Sequence, residues 1–398
     1  MKRFIWMGCL SYFLIGLAHV VIGSVLPEML AGYGKSYGDG GLLVALQFTG
    51  FLAGVLSGPW FSARLGKRGA LLLSLAALGL AELVFFAGPP WGVQLLNAPF
   101  AGFGFGMIET IIGALVIGHV EEERKTAVMA RIEVFFGVGA LVMPLVSALF
   151  IAREEWRGSF LTLSLLAWAV FALWLLLPMG RFSSLLGKEE NNHPASRAAA
   201  GYRGSYDLLA VFLLIFALYV GAEMSVANFL PSILIEGAGV TAEQGALGVS
   251  FFWGAMALGR LVAARVADAT GHGGYLILGS AGASVCLALF TFSRSFTGSL
   301  LLVALLGLFF SGMFAVALIY ANRCFPGREE RTTSLLIASG GVGGALLPLL
   351  TGWCMDRMPA QQSLWVLVGL CLLLVLLLAL TRRQAAGADR GGGEGAAE

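Results

Sequence analysis

A charge taken out of water needs a partner or a purpose. In this sequence of 398 residues, His19, Glu82, Glu109, Glu133, Glu223 and Arg260 stand inside long apolar stretches, with Arg131 beside them. Glu109 lies in Gly102-Phe103-Gly104-Phe105-Gly106-Met107-Ile108-Glu109-Thr110. A carboxyl there can bind and release a proton, and the glycines let a neighbouring helix approach closely. The competing reading is a protonated Glu hydrogen-bonded to the next helix.

Uncharged groups add a second chemistry. Gln47, Asn97, Asn228 and Asn322 carry amides that both donate and accept, and Tyr219 and Trp253 offer aromatic faces. Together these suit a hydroxylated solute, although any one of them serves equally in helix packing. Arg131 and Glu133 follow the charged run Glu121-Glu122-Glu123-Arg124-Lys125. With Arg64, Arg260 and Asp268 they read as an interface cluster that locks one conformation. Glu82 lies nearer the outer end of its stretch and is the weaker candidate.

Enzyme chemistry lacks its signatures. No Walker loop ends in Lys-Ser/Thr, and there is no His-Glu-x-x-His, paired metal ligand set or nucleophile elbow. Cys9, Cys286, Cys324, Cys354 and Cys371 are scattered and mostly lie in apolar segments, so they read as small apolar residues. No cofactor or metal is expected. A net charge of +2 argues against nucleic acid as a partner.

The elements that must position these groups are membrane spans. Hydrophobic residues make up 58% of the chain and charged ones 12%, about half the usual charged fraction of a soluble domain. Runs of spanning length fall near 5–30, 41–62, 69–87, 91–119, 127–151, 157–178, 208–236, 244–267, 273–292, 297–321, 331–354 and 360–381. The N-terminal run is too long for a signal peptide and reads as the first span. The expected fold is an all-α membrane protein of twelve transmembrane helices in two pseudo-symmetric six-helix bundles. Residues 1–179 and 208–383 form the bundles, 180–207 a polar cytoplasmic linker, and 384–398 a disordered tail rich in Gly and Ala. Lys and Arg crowd one side, including Arg64, Lys67, Arg68, Arg124 and Lys125, so both termini are expected in the cytoplasm.

A shared offset supports the two halves. Leu26-Pro27 matches Leu230-Pro231, Gly137-Val138-Gly139 matches Gly341-Val342-Gly343, and Pro144 matches Pro348, each pair 204 positions apart (230 − 26 = 204). The same shift lands His19 on Glu223. An imidazole and a carboxyl at equivalent depth can share a proton or bridge a solute. Gly50, Gly54 and Gly58 form a small-residue stripe suited to a helix that slides against its partner.

These residues support a resemblance. Gly58-Pro59-Trp60-Phe61-Ser62-Ala63-Arg64-Leu65-Gly66-Lys67-Arg68 resembles the loop after the second span of major facilitator transporters, with Ser62 where an Asp is usual. Arg265-Val266-Ala267-Asp268-Ala269-Thr270-Gly271 keeps the Asp but lacks the Arg that follows it. Gln47-Phe48-Thr49-Gly50, Glu133-Val134-Phe135-Phe136-Gly137, Ala227-Asn228-Phe229-Leu230-Pro231 and Ser250-Phe251-Phe252-Trp253 are more specific. They look like the fucose–galactose–glucose proton symporter group, in its glucose-type branch. The resemblance implies proton coupling at Glu109 and a hexose such as glucose or mannose as solute. The fucose branch uses an Asp where this chain has Gly23, so that site is absent here, and the resemblance offers His19, which the glucose-type branch shares, as a candidate for its place.

The expected function is import of a monosaccharide or similar polar solute, coupled to protons, in a bacterial inner membrane. The alternative is a proton-antiporting exporter of drugs or metabolites. A receptor without transport is disfavoured by the intramembrane charges. Solute, protons and membrane lipid are the expected partners, and nothing in the sequence demands more than a monomer.

Overall fold

The computed structural model describes residues 2–120, 122–176, 206–325 and 327–394. The elements are α1 (Lys2–Tyr33), α2 (Tyr37–Ala87), α3 (Trp91–His119), α4 (Glu122–Ile151), α5 (Gly158–Leu176) and α6 (Tyr206–Ala238). They continue with α7 (Ala242–Thr270), α8 (His272–Phe290), α9 (Phe296–Phe310), α10 (Met313–Cys324), α11 (Glu329–Met355) and α12 (Ala360–Glu394). The described residues contain no strand. Among them, 11 helical segments are long and apolar enough to cross a membrane, α9 and α10 counting together as Phe296–Cys324.

Two boundaries differ from those the apolar runs predict. Runs 41–62 and 69–87 join in α2, which is 51 residues long, but Gly66 inside it has φ 73° and ψ 159°. That backbone is not helical and lies in the region glycine adopts without a Cβ clash, so two helical stretches meet there. The run at 297–321 breaks at Ser311-Gly312 into α9 and α10. The break leaves carbonyls without helical partners. The Tyr275 hydroxyl donates to Ser311 O at 2.5 Å and the Tyr219 hydroxyl to Phe310 O at 3.3 Å, so the freed groups are satisfied inside the protein. Helical backbone also runs to Glu394, into the stretch whose composition predicts disorder. Nearly all of the 180–207 linker lies outside the described residues.

Close helix approach governs the packing. α2 lies along α3, α1 along α4, and α6 along α11, while α8 meets α9 and α12. A Cβ on Gly102 would overlap the Gln47 carbonyl oxygen, and one on Gly50 the Pro99 carbonyl oxygen, so α2 and α3 touch backbone to backbone. The earlier and later helices meet along α1–α6, α2–α11 and α4–α7. Outward faces are apolar: Leu278, Val285 and Leu289 on α8, and Leu372 and Leu376 on α12, are all exposed. That surface suits lipid, where every backbone polar group is satisfied within the helices.

Candidate functional site

α1 carries His19 into the middle of the bundle. Its Nε2 lies 3.1 Å from the Met224 Sδ of α6. Four aromatic rings surround the imidazole: Phe48 at 5.6 Å, Phe105 at 5.7 Å, Phe136 at 5.6 Å and Trp253 at 6.0 Å between centroids. They come from α2, α3, α4 and α7, so the site draws on helices from both ends of the chain. His19 Nδ1, Trp253 Nε1 and Gln47 Nε2 are buried and have no hydrogen-bond partner. Each orphaned polar atom costs about 1–3 kcal/mol unless something meets it. Aromatic rings thus surround the imidazole while buried polar atoms remain unsatisfied, an arrangement able to take up a polar group.

α1 and α6 cross beside this cluster. A Cβ on Gly23 would lie 2.8 Å from Asn228 Cα and 2.9 Å from Ala227 O. That explains the missing acid of the fucose-type pattern: α6 occupies the space its side chain would need. Asn228 itself donates from Nδ2 to Met224 O at 2.9 Å, within its own helix.

The charged residues form a second group around Arg260 of α7. Its Nη1 lies 4.0 Å from Glu133 Oε2 on α4. Arg260 is also an electrostatic neighbour of His19 and Glu223. Glu223 is buried, with Tyr219 of the preceding turn and Arg260 as its electrostatic neighbours. Glu109 is half-buried, and Glu133 is its charged neighbour. The Tyr12 hydroxyl donates to the Glu109 backbone carbonyl at 3.4 Å. Residues the sequence places in a latch (Glu133, Arg260) and in proton coupling (Glu109, Glu223, His19) thus share one electrostatic set.

The remaining candidates lie elsewhere. Asn97 Nδ2 donates to Ala81 O at 2.8 Å, which ties α3 to α2. Asn322 Nδ2 donates to Thr333 Oγ1 at 2.9 Å, between α10 and α11. Arg64 stacks over Trp60 at 4.2 Å and Arg131 over Trp6 at 4.8 Å, while Asp268 is exposed near His272. Glu82 is fully buried, and neither carboxylate oxygen has a partner.

Sequence reading missed a joint at one end of the bundle. The Asp356 carboxylate, after α11, accepts from Tyr37 N at 2.8 Å and Gly38 N at 2.9 Å at the start of α2. The Tyr37 hydroxyl donates to Glu236 Oε1, and Ala360 N donates to Glu236 Oε2 at 3.3 Å. Each carboxylate thus faces a helix N-terminus, where backbone N–H groups and the helix dipole favour an anion. Acids at helix ends are common, and only tertiary contact marks these two. Asp356→Ala is expected to destabilise this closed end by about 1–2 kcal/mol, a five- to thirtyfold shift toward opening. Spin labels on Lys35 and Gln362 would report a longer distance population; an unchanged distribution would refute the joint.

Comparisons with known proteins agree with this architecture. The chain is 30% identical over 381 residues to the glucose/mannose transporter GlcP of Bacillus subtilis, covering 94% of each protein. It is 27% identical over 226 residues to a probable multidrug-efflux transporter of Mycobacterium tuberculosis, covering 56% of this chain and 45% of that one. The fold matches a crystal structure of a D-xylose-proton symporter at TM-score 0.74 and 15% identity, covering 94% of this chain and 96% of that one. It matches a crystal structure of the nucleoside transporter NupG at TM-score 0.79 and 12% identity, covering 96% of this chain and 99% of that one. The Major Facilitator Superfamily family model matches residues 8–301 and 211–397, so the chain belongs to that superfamily and is a multi-pass membrane transporter, not an enzyme.

Proposed function

We propose that the protein imports a monosaccharide or a similar small polar solute together with protons, by alternating access between two six-helix bundles. The observation that carries this reading is the His19 cluster, where aromatic walls enclose unpartnered polar atoms on His19 and Trp253. Aromatic faces suit the C–H face of a sugar, and ring N–H groups suit its hydroxyls. The relative that matches over 94% of the chain supports a hexose.

Twelve spans follow if the break at Gly66 is a turn between two of them. A continuous helix of 51 residues would be about 76 Å long, more than twice the ~30 Å hydrocarbon layer. The end that carries Asp356 is then extracellular, because Lys and Arg concentrate at the other end, and both termini are cytoplasmic. A bacterial inner membrane and a monomeric state complete the reading. Glu109 is the coupling carboxyl. Glu223, His19, Glu133 and Arg260 exchange charge partners as the bundles rock.

Trp253→Ala is expected to weaken solute binding by about 1–2 kcal/mol, five- to thirtyfold in affinity. Equilibrium binding of a hexose series to purified protein measures this. Failure of every hexose to bind the wild type would overturn the substrate assignment.

One observation favours a second reading. Phe48, Phe105, Phe136 and Met224 dominate the surroundings of His19, a lining that also accepts apolar drugs. Proton-driven efflux of such compounds from reconstituted vesicles, with no hexose flux, would establish that alternative.

A further inference from the structure

The end of α6, the α8–α9 turn and the α11–α12 connection enclose a cavity of about 760 Å³. Its lining includes Glu236, Arg294, Gln361, Phe292 and Trp365, and none of these belongs to the His19 cluster. Gln361 is only 5% exposed. Its Nε2 donates to Ser293 O at 2.6 Å, while its Oε1 is buried and accepts from nothing. A buried acceptor lining a cavity calls for a donor on whatever enters.

The cavity is two-sided in its chemistry. Arg294 supplies a fixed cation and Glu236 an anion. At one edge the Phe292 and Trp365 rings meet edge to face at 6.0 Å, and they are 71% and 48% exposed. Below them the exposed Val285 and Leu289 of α8 and Leu372 and Leu376 of α12 continue an apolar outer strip, and those two helices pack together. Aromatic side chains at this level suit the membrane–water interface, with the apolar strip against acyl chains. The occupant is therefore amphipathic: apolar below, and zwitterionic above.

We propose that this cavity is a phospholipid site selective for a phosphoethanolamine headgroup. Arg294 meets the phosphate, for which a guanidinium fork is matched in charge and geometry. The ammonium brings several N–H donors, enough for both the Glu236 carboxylate and the orphaned Gln361 Oε1. A choline headgroup has no N–H donor for Gln361, and a glycerol headgroup has no cation for Glu236. The site stands apart from the transported solute and holds whichever solute is carried. Because Glu236 also holds the Tyr37 hydroxyl of α2, bound lipid leans on the same joint that closes this end.

Native mass spectrometry of the purified full-length protein tests the assignment. Phosphatidylethanolamine, phosphatidylcholine and phosphatidylglycerol with identical acyl chains are each titrated in turn. The expected result is one ethanolamine lipid retained about tenfold more strongly than either of the others. Gln361→Leu should abolish the preference over phosphatidylcholine, Arg294→Gln should weaken retention of all three lipids, which share the phosphate, and Arg153→Gln, a charge change outside the cavity, should do neither. Unfolding temperatures of all variants check that they remain folded. Equal retention of the three lipids would overturn the proposal. So would a preference over phosphatidylcholine that survives Gln361→Leu, retention left unchanged by Arg294→Gln, or soluble glycerophosphoethanolamine binding as tightly as the lipid.

Discussion

Vesicles containing Glu109→Gln protein are expected to lose solute accumulation driven by a pH gradient while still exchanging labelled for unlabelled solute. Glutamine resembles the protonated, neutral carboxyl in shape and charge, so the variant stays in the state that reorients with solute. It has no proton to release. For one proton per solute, a one-unit gradient is worth about 1.4 kcal/mol, or roughly tenfold in concentration ratio. Wild-type vesicles should approach that ratio and the variant should remain near unity. The position supports this expectation: Glu109 is half-buried, with Glu133 as charged neighbour, and Glu133 in turn pairs with Arg260 across α4 and α7. Accumulation by the variant equal to wild type would remove Glu109 from the coupling step. Loss of exchange as well as accumulation would make it a binding residue instead.

The second large effect is on assembly. The same change, Gly to Ala, should have opposite signs at two positions on α3. At Gly102 the added Cβ would overlap the Gln47 carbonyl oxygen, so α2 and α3 must separate. Such overpacking costs about 1–3 kcal/mol, and here the obstacle is backbone rather than a flexible side chain. Separation would also displace Phe48, whose ring packs against His19. At Gly113 the nearest atom to the new Cβ is the Tyr12 hydroxyl oxygen at 3.8 Å, an ordinary contact. There alanine should stabilise by about 0.5 kcal/mol, because it restricts the unfolded chain. Thermal unfolding followed by size-exclusion chromatography should place Gly102→Ala below wild type and Gly113→Ala at or above it. Equal shifts would show that backbone contact does not hold these helices.

Much of the design is written along the chain. Composition alone demands lipid as solvent, since apolar runs of spanning length recur from end to end. Glu109 stands out because a carboxyl in a glycine-rich apolar run has no cheap explanation. His19 and Glu223 stand out for the same reason, and Arg260 does as well. Local chemistry and the hydrophobic period mark these features without any knowledge of neighbours.

What surrounds each charge depends on helices far apart in sequence, and no local pattern reports it. Arg260 reads as part of a latch, yet the fold sets it near Glu133, Glu223 and His19 at once, merging latch and coupling residues. Asn97 and Asn322 read like cavity amides, but each is bonded in helix packing. Gly23 reads as a missing acid and proves to be where α6 presses against α1. Asp356 and Glu236 carry no sequence signal, because a carboxylate at a helix end becomes a joint only when a helix N-terminus arrives opposite it. The sequence by itself determined the solvent, the helices and the identity of the titratable groups, because those follow from residue type and period. Tertiary structure alone decided which charges face one another, because that depends on how helices cross, and the crossings are set by backbone contacts at glycines distant in the chain.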